Sequence, residues 1–88
     1  MIKFVNERPY ADAEAAARRL LEHAHAFEAV QDGRIYIEKI NGPFLYQDKG
    51  TPAEYSAGLL RAIAKGWLEL HDRGTYVKFT QAGAELFA

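Results

Sequence analysis

The sequence predicts a small single-domain α+β fold, in the order helix, strand or hairpin, helix, hairpin, short C-terminal helix. Three observations carry this. Thr51-Pro-Ala-Glu54 places a capping hydroxyl, a proline at the first helical position and a glutamate three residues on, so separate helix-start signals fall on one tetrapeptide. Leu68 to Phe79 alternates apolar and polar side chains on either side of Arg73-Gly74, as the arms of a hairpin do. Ala13, Ala16, Ala17, Leu20, Ala24 and Phe27 recur at helical spacing.

Taken in chain order, Ile2-Lys-Phe-Val5 reads as a short edge strand that Pro9 and its neighbours interrupt. A helix follows from Asp12, whose side chain can cap the first amides, to about Phe27, with Glu14, Arg18 and Glu22 four apart on another face. Gln31-Asp-Gly33 ends it. Arg34-Ile-Tyr-Ile-Glu-Lys-Ile40 has the β-branched and aromatic residues of a strand, with Ile35 and Ile37 on one face. Asn41-Gly42 signals a turn, and Pro43 confines any return strand through Phe44-Leu-Tyr46 to a short peripheral one.

The capped helix runs from Pro52 to about Lys65 with Tyr55, Leu59, Ala62 and Ile63 as its apolar stripe, and Gly66 supplies the stop. Gly58 in its interior costs about 1 kcal/mol relative to Ala, which implies a close neighbour at that backbone. In the hairpin a two-residue Arg73-Gly74 loop sets Leu68 opposite Phe79, Glu69 opposite Lys78, Leu70 opposite Val77 and His71 opposite Tyr76. A one-residue slip would mix the two faces. Thr80 then caps a short helix that buries Leu86 or Phe87.

The chain has 88 residues, 49% hydrophobic and 26% charged, so it holds one core and is neither a disordered nor a solvating segment. Its apolar runs are far below the roughly 20 residues that cross a bilayer. No signal or transit segment is read at the N-terminus, and cytoplasmic residence is the expectation. With no cysteine there is neither a disulfide nor a thiolate-bound metal. A net charge of −1 supplies no overall field toward phosphate, so an anion site would have to be local.

From Thr51 to Phe87 the chain resembles bacterial winged-helix regulators of the MarR-like kind. Gly66-Trp-Leu-Glu-Leu is similar to their strand after the recognition helix, and Phe79-Thr-Gln-Ala-Gly-Ala-Glu-Leu86 to the exit from their wing. The resemblance implies a helix over 52–65 that meets the major groove and a wing that touches the DNA backbone. It places Arg61, Lys65, Arg73 and Lys78 as the nucleic-acid contacts, enough for weak, salt-sensitive DNA binding. This sequence departs from the pattern at Pro52, Ala53, Glu54 and Ala57, which offer base edges almost no donors. The helix that precedes the recognition helix is also missing, its place taken by the Asn41-Gly-Pro turn. A protein-interaction or dimerisation domain on the same scaffold is the alternative, using exposed aromatic or Ala-Gly surface.

No enzyme is expected. Ser56, the only serine, has no base at an informative spacing. His23 and His25 are two apart and project to different sides of their helix, and His71 falls on the outer face of the hairpin beside Tyr76. Neither a metal, a cofactor nor a small-molecule ligand is implied. Tyr55 and Trp67 read as core anchors with a polar tip, whereas Tyr36, Tyr46 and Tyr76 read as exposed.

Overall fold

The Ala-rich stripe is what allows the first helix to sit at the centre of the domain. The structure, a computed structural model, describes residues 8–28 and 33–87; the strand expected at residues 2–5 lies outside them. After a 3-10 turn at Pro9–Ala11, helix α1 spans Ala13–Glu28, and the Glu14 amide donates to the Asp12 carboxylate at 3.1 Å. Ala16, Ala17, Leu20, Leu21 and Ala24 are buried, and α1 packs chiefly on the two helices that follow.

The middle of the chain differs from the expectation. Strand β1 is only Ile35–Tyr36, and Ile37–Tyr46 is helix α2, with Asn41, Gly42 and Pro43 inside it. No return strand passes through Phe44–Tyr46, and a helix does precede the capped one. The reason lies in packing. Ile40 and Phe44, four apart, are fully buried, and Ile37 packs beside them on the same helical stripe. Burying two such side chains is worth about 3–6 kcal/mol, comparable to the roughly 4 kcal/mol that one glycine and one interior proline cost a helix.

Helix α3 spans Pro52–Ala64 and has the full capping box: the Glu54 amide donates to Thr51 Oγ1 at 3.1 Å, and the Thr51 amide to Glu54 Oε1 at 3.0 Å. It ends as a Schellman motif. Gly66 takes φ +77°, its amide donates to the Ile63 carbonyl, and the Trp67 amide donates to that of Ala62. Tyr55, Gly58 and Ala62 face inward, with Leu59 and Ile63 partly buried beside them. Gly58 lies against Ala16 and Ala17 of α1, the close neighbour that its position implied.

Strands β2 (Leu68–His71) and β3 (Tyr76–Phe79) pair in the expected register at all four positions. Strand β1 adds to the other edge of β3 through Ile35 opposite Val77 and Tyr36 opposite Tyr76, giving a three-stranded antiparallel sheet of order β1-β3-β2. Arg73 and Gly74 form the tip. The Thr75 amide donates to the Asp72 carbonyl across it, and Arg73 (φ 59°, ψ 28°) and Gly74 (φ 92°) have the positive φ of a type I′ turn. Leu68 and Val77 lie in the core, while Leu70 on the same face extends past it. Helix α4, Gln81–Glu85, starts at Thr80, whose hydroxyl accepts from the Gly83 amide and donates to the Gly66 carbonyl. Phe87 packs back on the core, and Leu86 stays exposed. No helix among the described residues is long and apolar enough to cross a membrane.

Candidate functional site

Of the four cations that the sequence singles out, two come together. Arg61 and Lys65, one turn apart on α3, both lean toward α1 and meet the Glu14 carboxylate: Arg61 Nη2 donates to Oε1 at 3.0 Å, and Lys65 Nζ stands 3.8 Å from the same oxygen. Arg18, one turn after Glu14 on α1, approaches the other oxygen at 3.5 Å. The Arg61 hydrogen bond and then the Lys65 charge hold the Glu14 carboxyl below its ordinary pKa against a smaller opposing effect of burial.

Trp67 forms the floor of this cluster. Its ring is almost wholly buried, as expected of a core anchor, with Arg18 Cζ 5.0 Å and Lys65 Nζ 5.4 Å from its centroid. Beside Arg18 opens a cleft of about 150 Å³ lined by Arg18, Leu21, Glu22, Leu86 and Phe87. Sequence reasoning placed Glu14 and Arg18 on one helical face and Arg61 and Lys65 on another. What it missed is that the two faces meet, because nothing within either helix encodes a contact across 47 residues.

Arg73 and Lys78 stand elsewhere. Arg73 occupies the tip of the hairpin and Lys78 its outer face opposite Glu69; both are exposed, and neither has an ion-pair partner among the described residues. The same outer face carries an aromatic row across the three strands. Tyr36 meets Tyr76 edge-on at 6.0 Å, His71 stacks on Tyr76 at 5.4 Å, and Arg34 Cζ lies 5.6 Å from the Tyr76 centroid. Tyr36 and Tyr76, expected to be exposed, are therefore half-covered by each other and by His71; Tyr46 is the one that stands free, at 76% exposure.

A second polar cluster joins α1 to the α2–α3 turn. Arg19 donates to both oxygens of Asp48, each at 2.9 Å, and His23 Nε2 lies 2.7 Å from Asp48 Oδ2. His25 instead stacks on Phe87, with ring centroids 4.3 Å apart, so the two histidines do point apart as their spacing required. Tyr55 departs from the reading of a phenol with a polar tip: its hydroxyl is buried without a hydrogen-bond partner among the described residues.

On the outward side of α3, Ala53, Ser56, Ala57, Leu60 and Ala64 form an uncharged exposed stripe, and Leu60 is 67% exposed. Arg61 and Lys65 are turned roughly 100° from it, at 3.6 residues per turn. Compared with protein-family models, curated proteins and solved structures, the chain gives no match.

Proposed function

We propose that this chain is a winged-helix-like protein-interaction module, one that keeps a recognition-type helix and a wing and does not read DNA with them. The element order supports the winged-helix part of the reading, since a helix, a short strand, two further helices and a hairpin follow in turn. The single observation behind the functional part is the outward stripe of α3. Base-edge readout depends on side chains such as Arg, Lys, Asn and Gln, and that stripe offers one serine hydroxyl among alanines and a leucine. Depletion of charge is instead the compositional mark of a protein interface.

The test is an NMR titration of the labelled protein with generic duplex DNA at low and moderate salt, with sedimentation on the same sample. The expected result is an inert spectrum. Salt-sensitive shifts at Arg61, Lys65 and the Arg73 loop would overturn the reading. Weak nucleic-acid binding through the wing is the second reading, favoured by the exposed Arg73 and Lys78, which have no ion-pair partner among the described residues. So few phosphate contacts give only salt-sensitive affinity, and shifts confined to residues 72–78 in the same titration would select it.

A further inference from the structure

We infer that the seam between α1 and α3, with the cleft beside it, binds an acidic peptide segment carrying one apolar anchor; this rests on the protein-interaction reading and adds to the uncharged stripe of α3 a second, charged docking surface. Three cations, Arg18, Arg61 and Lys65, converge on the one carboxylate of Glu14, which leaves a local excess of positive charge in a chain whose net charge is −1. Their side chains keep 54%, 45% and 38% of their exposure. A guanidinium has five N–H donors, and each arginine gives only one of them to Glu14. The remaining donors face solvent, ready for a second carboxylate.

Arg18 belongs both to this cluster and to the wall of the 150 Å³ cleft, so the charged and apolar parts of the site are continuous. Leu21 is buried at that wall and Leu86 and Phe87 close the far side, so the open cleft has an apolar wall beside the charged one of Arg18 and Glu22. One leucine or phenylalanine side chain would fill it. A nucleic-acid strand fits less well for two reasons. The aromatic ring at the cluster, Trp67, is buried under Arg18 and Lys65 and offers no face on which a base could stack. Glu22, which lines the cleft and is held by Arg19 at 2.6 Å, would repel a phosphate or a carboxylate placed there, whereas a peptide can set its uncharged apolar anchor at that point and offer the carboxylate an N–H.

Trp67 is the only tryptophan in the chain, so its fluorescence reports directly on the site. The probe is a capped synthetic peptide, Asp-Glu-Leu-Asp-Glu, with a serine version and a short single-stranded oligodeoxynucleotide as controls. Saturable quenching is expected with the leucine peptide, accompanied by amide shifts at Arg18, Leu21 and Lys65 and weakened by salt. Replacing the leucine by serine should lower affinity about tenfold or more. Arg18→Gln should lower it about threefold and Glu14→Gln raise it about threefold, since each changes one exposed charge pairing. Melting temperatures of both variants serve as the folding control.

Absence of saturable binding by the leucine peptide would overturn the inference and leave the protein-interaction reading standing with another surface. Indifference of the affinity to both Arg18→Gln and Glu14→Gln would overturn it equally. Tighter binding of the oligonucleotide at these same residues would overturn both.

Discussion

Gly58 of α3 faces Ala16 of α1 with no room for a side chain: a Cβ on Gly58 would stand 2.8 Å from the Ala16 Cβ and 3.0 Å from the Ala16 carbonyl carbon. Both obstacles are fixed, one a methyl on a buried residue and the other backbone. Glycine in this helix therefore sets how closely the two helices approach, and through them how far Arg61 stands from Glu14.

Gly58→Ala should destabilise the domain even though alanine is the better helix former. The propensity gain is about 1 kcal/mol, while forcing a methyl into a filled contact costs about 1–3 kcal/mol. Chemical denaturation should show a net loss of up to about 2 kcal/mol, and a stabilised variant would mean that α1 and α3 lie further apart than described.

Acid should weaken the junction at Asp48. Burial alone would raise its pKa, but hydrogen bonds from Arg19 and His23 outweigh burial and hold the carboxyl below the ordinary aspartate range. Its folded pKa is thus lower than its unfolded one, so its contribution is complete above the unfolded value of about 3.9 and is lost as pH falls through the folded value. Asp48→Asn should cost about 1–3 kcal/mol at neutral pH, as expected for hydrogen bonds to charged partners. It should also flatten the acid limb of a stability-against-pH curve. An unchanged acid limb would remove Asp48 from that role.

Alkali should act through Tyr55. Burial pushes its phenol up to about 12, above the ordinary value of about 10. The neutral form is the one folding favours, so stability is intact below about pH 10 and falls as pH rises through the folded value. Because the hydroxyl has no partner among the described residues, Tyr55→Phe should cost nothing at neutral pH and gain up to about 1 kcal/mol. The variant should also resist alkaline unfolding, which a pH-jump melt followed by circular dichroism would measure.

The hairpin tip holds two non-glycine residues in the left-handed region, Asp72 at φ 52° and Arg73 at φ 59°. That conformation costs an L-residue about 1–2 kcal/mol. Arg73→Gly should relieve most of it and raise stability by about 0.5–1 kcal/mol after the added entropy of the unfolded chain. A thermal melt checks this, and the same variant removes one wing cation for the DNA titration.

The sequence was most legible where one local rule decided the structure. Thr51 and Glu54 fixed the start of α3, Gly66 its end, and the alternation from Leu68 to Phe79 the hairpin register. It was least legible at residues 37–46, where β-branched residues and Asn41-Gly42-Pro43 argue locally against a helix, and burial of Ile40 and Phe44 overrides them. The signal was present as the spacing of Ile37, Ile40 and Phe44, but it competed with a stronger turn signature. The cation cluster was half legible. Each helical face could be drawn from spacing, whereas their meeting at Glu14 depends on the α1–α3 packing that Gly58 permits.

Strand β1 passes into α2 without a connecting residue, Tyr36 ending one and Ile37 beginning the other, and the Ile37 amide is held by the Thr75 carbonyl at 3.1 Å. The chain has no slack at that joint. One inserted residue there would rotate every following side chain of α2 by about 100° and carry Ile40 and Phe44 out of the core, whereas one at the exposed 72–75 tip would only lengthen a loop. In a library of random single-residue insertions selected for folded protein, survivors should gather at the hairpin tip and leave the 36–37 junction empty, which makes the tip the place to attach a label, a tag or a second domain.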